Sequence, residues 1–232
     1  MLSLHPVLES ISSVWWQIAI AAAWVALVLL VTWIASHFAK AEPEILRKIV
    51  HIGTGNVILI AWWLDIPAYV GIAASVLAGV VTLLSYRFPL LPINSVGRRS
   101  LGTFFYAVSI GVLVACFWYL QQPQYAALGI LVMAWGDGMA ALIGQKLGKH
   151  KYQLFGGNKS WEGSLTMVLV SFIICSLIFV GVQGNIWQTW VVSLIVAIAA
   201  TFLETVSFLG IDNLTVPLGS ASLAFWLIQL TR

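Results

Sequence analysis

Charged side chains are scarce in this sequence, and their scarcity argues against an ordinary soluble protein. Aspartate, glutamate, lysine and arginine together make up 8% of the 232 residues, while 61% are hydrophobic. A soluble domain carries about 25% charged residues, so this chain is expected to reside in a lipid bilayer. The formal net charge is only +3, and no nucleic-acid partner is expected.

Cysteine is also rare, which excludes a disulfide framework. The two cysteines, Cys116 and Cys175, lie in hydrophobic segments without the spacing of a metal site, so a packing role is expected. A secretory signal peptide is not expected, because no basic residues precede the first hydrophobic segment and that segment is too long. No clear internal repeat is visible either.

Long hydrophobic runs dominate the rest of the chain. A bilayer core about 30 Å thick requires roughly 20 apolar residues per helix, and only helices or closed barrels can span it. The sequence lacks the alternation of a barrel. We therefore predict an all-α, polytopic membrane helix bundle of about seven to eight transmembrane helices, forming one domain over residues 1–232. The predicted spans are 14–38, 50–64, 67–85, 103–120, 125–143, 164–182, 188–206 and 214–230.

The basic residues occur mainly in three loops, those after the first, third and fifth predicted spans. Such loops remain in the cytoplasm, and most acidic residues map to the same side. Topology alone does not need carboxylates beside lysines, so the mixture of signs predicts a polar site at the cytoplasmic face. The basic residues of the three loops are Lys40, Arg47 and Lys48; Arg87, Arg98 and Arg99; and Lys146, Lys149, Lys151 and Lys159.

The first polar segment is AEPEILRKIVH, residues 41–51. Pro43 suits the first turn of a helix, and Arg47 and His51 are then one turn apart on one face, with Lys48 adjacent. A histidine at a membrane boundary has a structural interpretation as well as a catalytic one.

The second polar segment is SVGRRSLGTFFY, residues 95–106. Its arginines, Arg98 and Arg99, have two interpretations. They could anchor the chain to lipid headgroups, or they could donate hydrogen bonds to phosphate oxygens.

The third polar segment, residues 135–164, places a carboxylate inside a hydrophobic run. Gly136, Ala140, Gly144 and Gly148 recur every four residues, so another helix can approach closely along this stripe. Asp137 lies beside the stripe, roughly 10 Å below the cytoplasmic end of the helix. An intramembrane carboxylate is costly and by default indicates a functional cavity.

Downstream of Asp137 come four lysines, the last of them in the stretch Gly156-Gly157-Asn158-Lys159-Ser160, which is followed by Glu162. Glycines let backbone N–H groups approach an anion, and lysines add positive charge. A carboxylate with several lysines suits a Mg²⁺-nucleotide. The Walker pattern is not matched, because Asn158 separates the glycines from Lys159, and a cation or proton transporter could also use such an aspartate.

Several motifs together resemble the CTP-dependent membrane lipid kinases, a family of phytol and farnesol kinases, dolichol kinases and CTP-using diacylglycerol kinases. The short chain is most similar to the phytol kinase branch. The segments that carry the resemblance are RKIVHIGTGN (47–56), RRSLGTFFY (98–106), GDGMAALIG (136–144), KLGKHK (146–151), NKSWEGS (158–164) and ETVSFLGIDNLTVPLGSA (204–221).

The resemblance implies phosphoryl transfer from CTP, with Mg²⁺, to the hydroxyl of an isoprenoid alcohol, most of all phytol but also geranylgeraniol or farnesol. It implies the following roles. Catalytic candidates are Arg47, Lys48, His51 and Asp137. Nucleotide-binding candidates are Arg98, Arg99, Lys146, Lys149, Gly156, Gly157, Lys159, Ser160, Glu162, Asp212 and Asn213. Metal-ligand candidates are Asp137, Glu162 and Glu204, although Glu204 could instead cap a helix.

Other functions remain compatible with the sequence. A CTP-dependent diacylglycerol kinase or a dolichol kinase would share the motifs. A CTP:phospholipid cytidylyltransferase would share the nucleotide but release pyrophosphate, and a transporter would usually bind its substrate near the midplane. The sequence makes no prediction about oligomeric state or about which membrane holds the protein.

Overall fold

The computed structural model describes residues 14–87, 101–154 and 157–231. Eight helical spans in these residues are long and apolar enough to cross a membrane, which confirms the predicted all-α membrane bundle. The helices are α1 (Val14–His37), α2 (Pro43–Gly55), α3 (Val57–Trp63), α4 (Ala68–Arg87), α5 (Gly102–Tyr119), α6 (Pro123–Leu131), α7 (Gly138–Leu147), α8 (Trp161–Gln183), α9 (Trp187–Val206) and α10 (Asp212–Thr231).

The second span begins earlier than the sequence predicted. Helices α2 and α3 form one span, Pro43–Trp63, whereas hydropathy placed its start at residue 50. The first turns of α2 carry charged residues that lower the mean hydropathy, yet Pro43 starts the helix there because its fixed φ suits a first turn. Arg47, Lys48 and His51 therefore lie within the span itself.

The fifth span, Pro123–Leu147, is the centre of the bundle. Residues 125–134 of this span are buried throughout, because helices surround it on all sides. Between α6 and α7 the helix widens into a π-helical segment, Val132–Asp137. Such a segment changes which way the following side chains point and is frequent at functional sites. Asp137 is its last residue.

The small-residue stripe of the fifth span packs against α8, and the close approach predicted from the sequence is confirmed. A Cβ atom added to Gly136 would come within 2.7 Å of both Met167 Sδ and Ser171 Oγ. One added to Gly144 would lie 3.0 Å from Ser160 Oγ. Side chains at these glycines would therefore force the two helices apart.

A short β-hairpin, which the sequence analysis did not predict, joins α7 to α8. Strands β1 (Lys151–Leu154) and β2 (Gly157–Ser160) are antiparallel, and Tyr152 pairs with Lys159. Ser160 ends β2 and caps α8, since its Oγ accepts a hydrogen bond of 3.1 Å from Gly163 N. The hairpin thereby turns Lys159 back over the end of the bundle.

The loop between α9 and α10 makes a tight turn at the same end of the bundle. Leu209 and Gly210 both have positive φ values, 56° and 85°, a conformation that glycine adopts readily. Asn213 Nδ2 donates to Gly210 O at 3.2 Å, which fixes the turn. Asp212 is thereby held at the first position of α10.

Candidate active site

A cavity of about 430 Å³ lies at the end of the bundle that carries the hairpin. It is bounded by α2, α7, the hairpin, α8, α9 and α10. Charges of both signs line it, so it suits a polyanion together with a cation. The lining cations are Arg47, Lys151 and Lys159, and the lining carboxylates are Glu44, Asp137, Glu204 and Asp212.

Asp137 forms an ion pair with Lys48 at the inner end of this cavity. Lys48 Nζ lies 2.5 Å from Asp137 Oδ2, and the two side chains are 3% and 13% exposed. His51 Nε2 lies 3.8 Å from the same oxygen, too far for a hydrogen bond. A buried ion pair of this kind depends on both partners, because either charge alone would be buried without compensation.

Lys159 and Glu204 form a second ion pair, which ties the hairpin to the end of α9. Lys159 Nζ donates to the Glu204 carboxylate and, at 2.6 Å, to the Glu204 backbone oxygen. Both side chains are largely buried yet line the cavity. Glu204 therefore does not serve as a helix cap, the alternative that the sequence left open.

Arg47 is more accessible than Lys48 and Lys159. Its guanidinium pairs with Glu44, one turn earlier in α2, with Nε donating to Oε2 at 2.9 Å. The Arg47 side chain is 43% exposed. Exposed pairs within one helix contribute little to stability, so Arg47 can exchange Glu44 for another anion at small cost.

Glu162 lies outside the cavity lining, although the sequence analysis placed it with the nucleotide and metal. Its Oε1 lies 2.7 Å from His150 Nδ1, and His150 N donates to the same carboxylate. Because Ser160 caps α8, Glu162 belongs to the first turn of the helix. There it joins the two ends of the hairpin.

Other predicted nucleotide-binding residues are also separate from the cavity. Lys146 and Lys149 are exposed and do not line it. Gly157 is part of β2 and pairs with Leu154, while Asn213 is buried in the first turn of α10. Arg98, Arg99 and Gly156 fall outside the described residues, and their roles stay predictions.

The comparison with known proteins decides the family. The chain is 52% identical over 212 residues to a phytol kinase from Synechocystis sp., and the match covers 91% of each chain. The chain belongs to the phytol kinase family. It is also 32% identical over 199 residues to a probable chloroplastic phytol kinase 2 from Oryza sativa subsp. japonica, covering 77% of this chain and 64% of the relative.

A third member of the phytol kinase family is more distant. Phytol kinase 1, chloroplastic, from Arabidopsis thaliana is 27% identical over 209 residues, covering 79% of this chain and 66% of the relative. No protein-family model and no solved structure matches the chain. The phytol kinase branch that the motifs indicated is therefore confirmed.

Sequence reasoning missed one buried aromatic residue that contacts His51. The Tyr106 ring lies 4.4 Å from that of His51, measured between centroids, and only 6% of the residue is exposed. Tyr106 ends the segment RRSLGTFFY, which the family resemblance included. In the sequence alone, Tyr106 looks like any other aromatic residue of a hydrophobic core. Only its contact with His51 in the folded protein distinguishes it from the others.

The acidic residues of the cavity fit Mg²⁺ only when phosphate is also present. Among the described residues, no group of three or more His, Cys, Asp or Glu side chains is placed to hold a metal ion. Magnesium in phosphoryl-transfer sites is commonly held by one or two carboxylates together with substrate phosphates and water. Asp137, Glu204 and Asp212 are carboxylates in the lining of the cavity.

A second cavity, of about 700 Å³, lies between the second, fifth and sixth spans. Its lining is apolar apart from a few groups such as Asn56, whose Oδ1 accepts a hydrogen bond of 2.9 Å from Trp135 Nε1. This cavity suits hydrocarbon and offers no charge to a nucleotide.

Proposed function

We propose that this chain transfers the terminal phosphoryl group of CTP to the hydroxyl group of phytol, giving phytyl phosphate and CDP. The phytol kinase relatives support the alcohol and the reaction. The motif resemblance supports CTP as the donor. The observation that carries the proposal is the single cavity in which Arg47, Lys151 and Lys159 face Asp137 and Asp212.

The cations of the cavity would neutralise the triphosphate. Arg47 is exposed enough to leave Glu44 and donate to phosphate oxygens in a planar, two-point geometry. Lys151 and Lys159 come from the two strands of the hairpin, and both line the cavity. Phosphoryl transfer depends mainly on such positioning and charge neutralisation.

The carboxylates would hold Mg²⁺ between the protein and the phosphates. Asp137 and Asp212 are the ligands we assign, because Lys48 donates to one oxygen of Asp137, Oδ2, whereas both carboxylate oxygens of Glu204 accept hydrogen bonds. The ion, when bound, would neutralise charge developing on the transferred phosphoryl group. Lys48 holds the Asp137 carboxylate in place from the side away from the cavity.

In the proposed reaction, one bond to phosphorus forms, one breaks, and a residue near the inner end of the cavity accepts the proton. The phytol oxygen forms a bond to the terminal phosphorus of CTP, while the bond from that phosphorus to the bridging oxygen breaks. CDP leaves with the bonding electron pair. The hydroxyl proton passes to His51 Nε2, which has no hydrogen-bond partner among the described residues.

We also propose that this end of the bundle faces the cytoplasm, where CTP is available. The basic residues of the loops support this orientation, since positively charged loops remain on the cytoplasmic side. The alkyl chain of phytol would stay within the bilayer.

The proposed function is tested with purified protein in lipid nanodiscs, phytol and CTP labelled at the γ-phosphate. We expect label in phytyl phosphate and an equal amount of CDP. Label in pyrophosphate would instead identify a cytidylyltransferase and overturn the proposal. Replacing CTP by ATP, GTP or UTP, and phytol by geranylgeraniol, farnesol, dolichol or diacylglycerol, defines both specificities.

A further inference from the structure

Two polar atoms on a pair of neighbouring rings are buried without a hydrogen-bond partner. They are Tyr106 Oη and His51 Nε2, and neither has a partner among the residues that the structure describes. A buried hydroxyl without a partner loses its hydrogen bonds to water on folding. Such groups are rare in folded proteins and call for an explanation, for example a ligand.

The surroundings of Tyr106 hold its hydroxyl in place. A Cβ atom added to Gly55 would come within 2.6 Å of Tyr106 Oη and 2.5 Å of Ala134 Cβ. A side chain at position 55 would thus displace the tyrosine hydroxyl, so the glycine provides the space that this hydroxyl occupies. The Tyr106 and His51 rings lie 4.4 Å apart between centroids, which brings both unpaired atoms to one small region.

The position of this region relates it to the polar cavity. On α2, Arg47 lines the cavity, His51 lies one helical turn further into the bilayer, and Gly55 one turn further again. His51 Nε2 is 3.8 Å from Asp137 Oδ2. The unpaired atoms therefore lie on the bilayer side of Asp137, and the charged groups lie on its other side.

We propose that Tyr106 and His51 together bind the hydroxyl group of the alcohol substrate. This inference rests on the proposed function and adds Tyr106 to it as a substrate-binding residue. A hydroxyl group is both a donor and an acceptor. Tyr106 Oη–H donates to the alcohol oxygen, while the alcohol O–H donates to His51 Nε2, so one ligand group satisfies both buried atoms.

The alkyl chain of the alcohol would lie on the bilayer side of Tyr106 and His51, whose ring contact joins α5 to the span Pro43–Trp63. There the chain would remain in apolar surroundings while its hydroxyl reaches Asp137. The nucleotide would approach from the opposite, charged side.

The test compares Tyr106→Phe with Tyr125→Phe in nanodiscs, using phytol and CTP. Tyr125 is also a buried tyrosine, but it lies about 18 Å further along the fifth span from Asp137. We expect Tyr106→Phe to lower kcat/KM for phytol about tenfold, the loss of one hydrogen bond, while KM for CTP and the Tm stay unchanged. Tyr125→Phe should retain the kcat/KM of the unaltered protein.

A second measurement reports binding alone and does not depend on catalysis. Phytol and its hydrocarbon analogue phytene, which lacks the hydroxyl, are compared as ligands of the unaltered protein and of Tyr106→Phe. The unaltered protein should bind phytol more tightly than phytene, and the difference should shrink in the variant. An equal preference in both proteins, or a change in KM for CTP alone, would overturn the role of Tyr106.

The two proposals fail in different ways. If the unaltered protein transfers no phosphate to any alcohol, the proposed function falls and this inference falls with it. If transfer occurs and Tyr106→Phe is as active as the unaltered protein, the proposed function stands and the hydroxyl site is wrong.

Discussion

Lys48 and Asp137 are 89 residues apart in the chain, yet their side chains form a buried ion pair 2.5 Å long. The pair joins the second span to the π-helical segment of the fifth. The pair has a structural and a functional side. Asp137 lines the polar cavity, and Lys48, which does not line it, compensates the charge of Asp137. Stability and activity should therefore respond differently when the pair is altered.

Replacing one partner of this pair should destabilise the fold strongly. Lys48→Met leaves a buried carboxylate without compensation, and such losses cost about 3–5 kcal/mol. The double variant Lys48→Met/Asp137→Asn removes both charges and should recover much of the lost Tm, but no activity. Thermal unfolding in detergent and phosphate transfer are measured in parallel. A fully active double variant would contradict the role of Asp137.

The second ion pair predicts an effect on the nucleotide rather than the alcohol. Lys159→Ala should raise the KM for CTP at least tenfold while changing the KM for phytol little, because a hydrogen bond to a charged group contributes about 1.5–3 kcal/mol. Lys40→Ala is the matched control, since Lys40 is exposed in a loop at the same end and does not line the cavity. A change in alcohol selectivity alone would remove Lys159 from the nucleotide site.

The positions of the acidic residues predict which of them governs the magnesium requirement. Asp212 lines the cavity, whereas Glu162 pairs with His150 outside it. Asp212→Asn should therefore increase the Mg²⁺ concentration needed for half-maximal activity, and by more than Glu162→Gln does. Activity is titrated with MgCl₂ at saturating CTP. The reverse order would restore Glu162 as the metal ligand that its sequence position suggested.

The predictions that succeeded from the sequence rest on local patterns. Apolar length is sufficient to find the eight spans, and the stripe of Gly136 and Gly144 was sufficient to predict a closely packed neighbour. Asp137, which lines the polar cavity, was chosen as a candidate because a carboxylate in hydrocarbon is costly wherever the chain folds, and its role stays a prediction. None of these inferences requires knowledge of which helices are adjacent.

The contacts that the sequence did not predict depend on tertiary structure. Glu162 is only three residues from Lys159, and this proximity suggested one cluster. Ser160 ends the strand and starts α8 between them, so their side chains go to different neighbours. Likewise, the pairing of Lys48 with Asp137 and the approach of Tyr106 to His51 depend on how separate spans pack, which no local pattern encodes.

The packing of the fifth span against α8 predicts opposite effects for two alanine substitutions. Gly136→Ala would place a methyl group within 2.7 Å of Met167 Sδ, and overpacking of this kind typically costs about 1–3 kcal/mol. Gly181→Ala is the control, because a Cβ atom there meets nothing within 4 Å. That variant should keep or slightly raise the Tm, since alanine favours a helix more than glycine does. Equal Tm values for the two variants would mean that the two helices are not closely packed at Gly136.

Membrane orientation is testable because the two ends of the bundle offer exposed positions. In a variant without the native cysteines, Lys149→Cys places a thiol at the hairpin end and Gln121→Cys places one at the opposite end. A membrane-impermeant maleimide added to intact cells should label position 121 and leave position 149 unlabelled until the membrane is permeabilised. Labelling of position 149 in intact cells would put the polar cavity outside the cytoplasm, away from its nucleotide, and the CTP-dependent reaction would then be excluded.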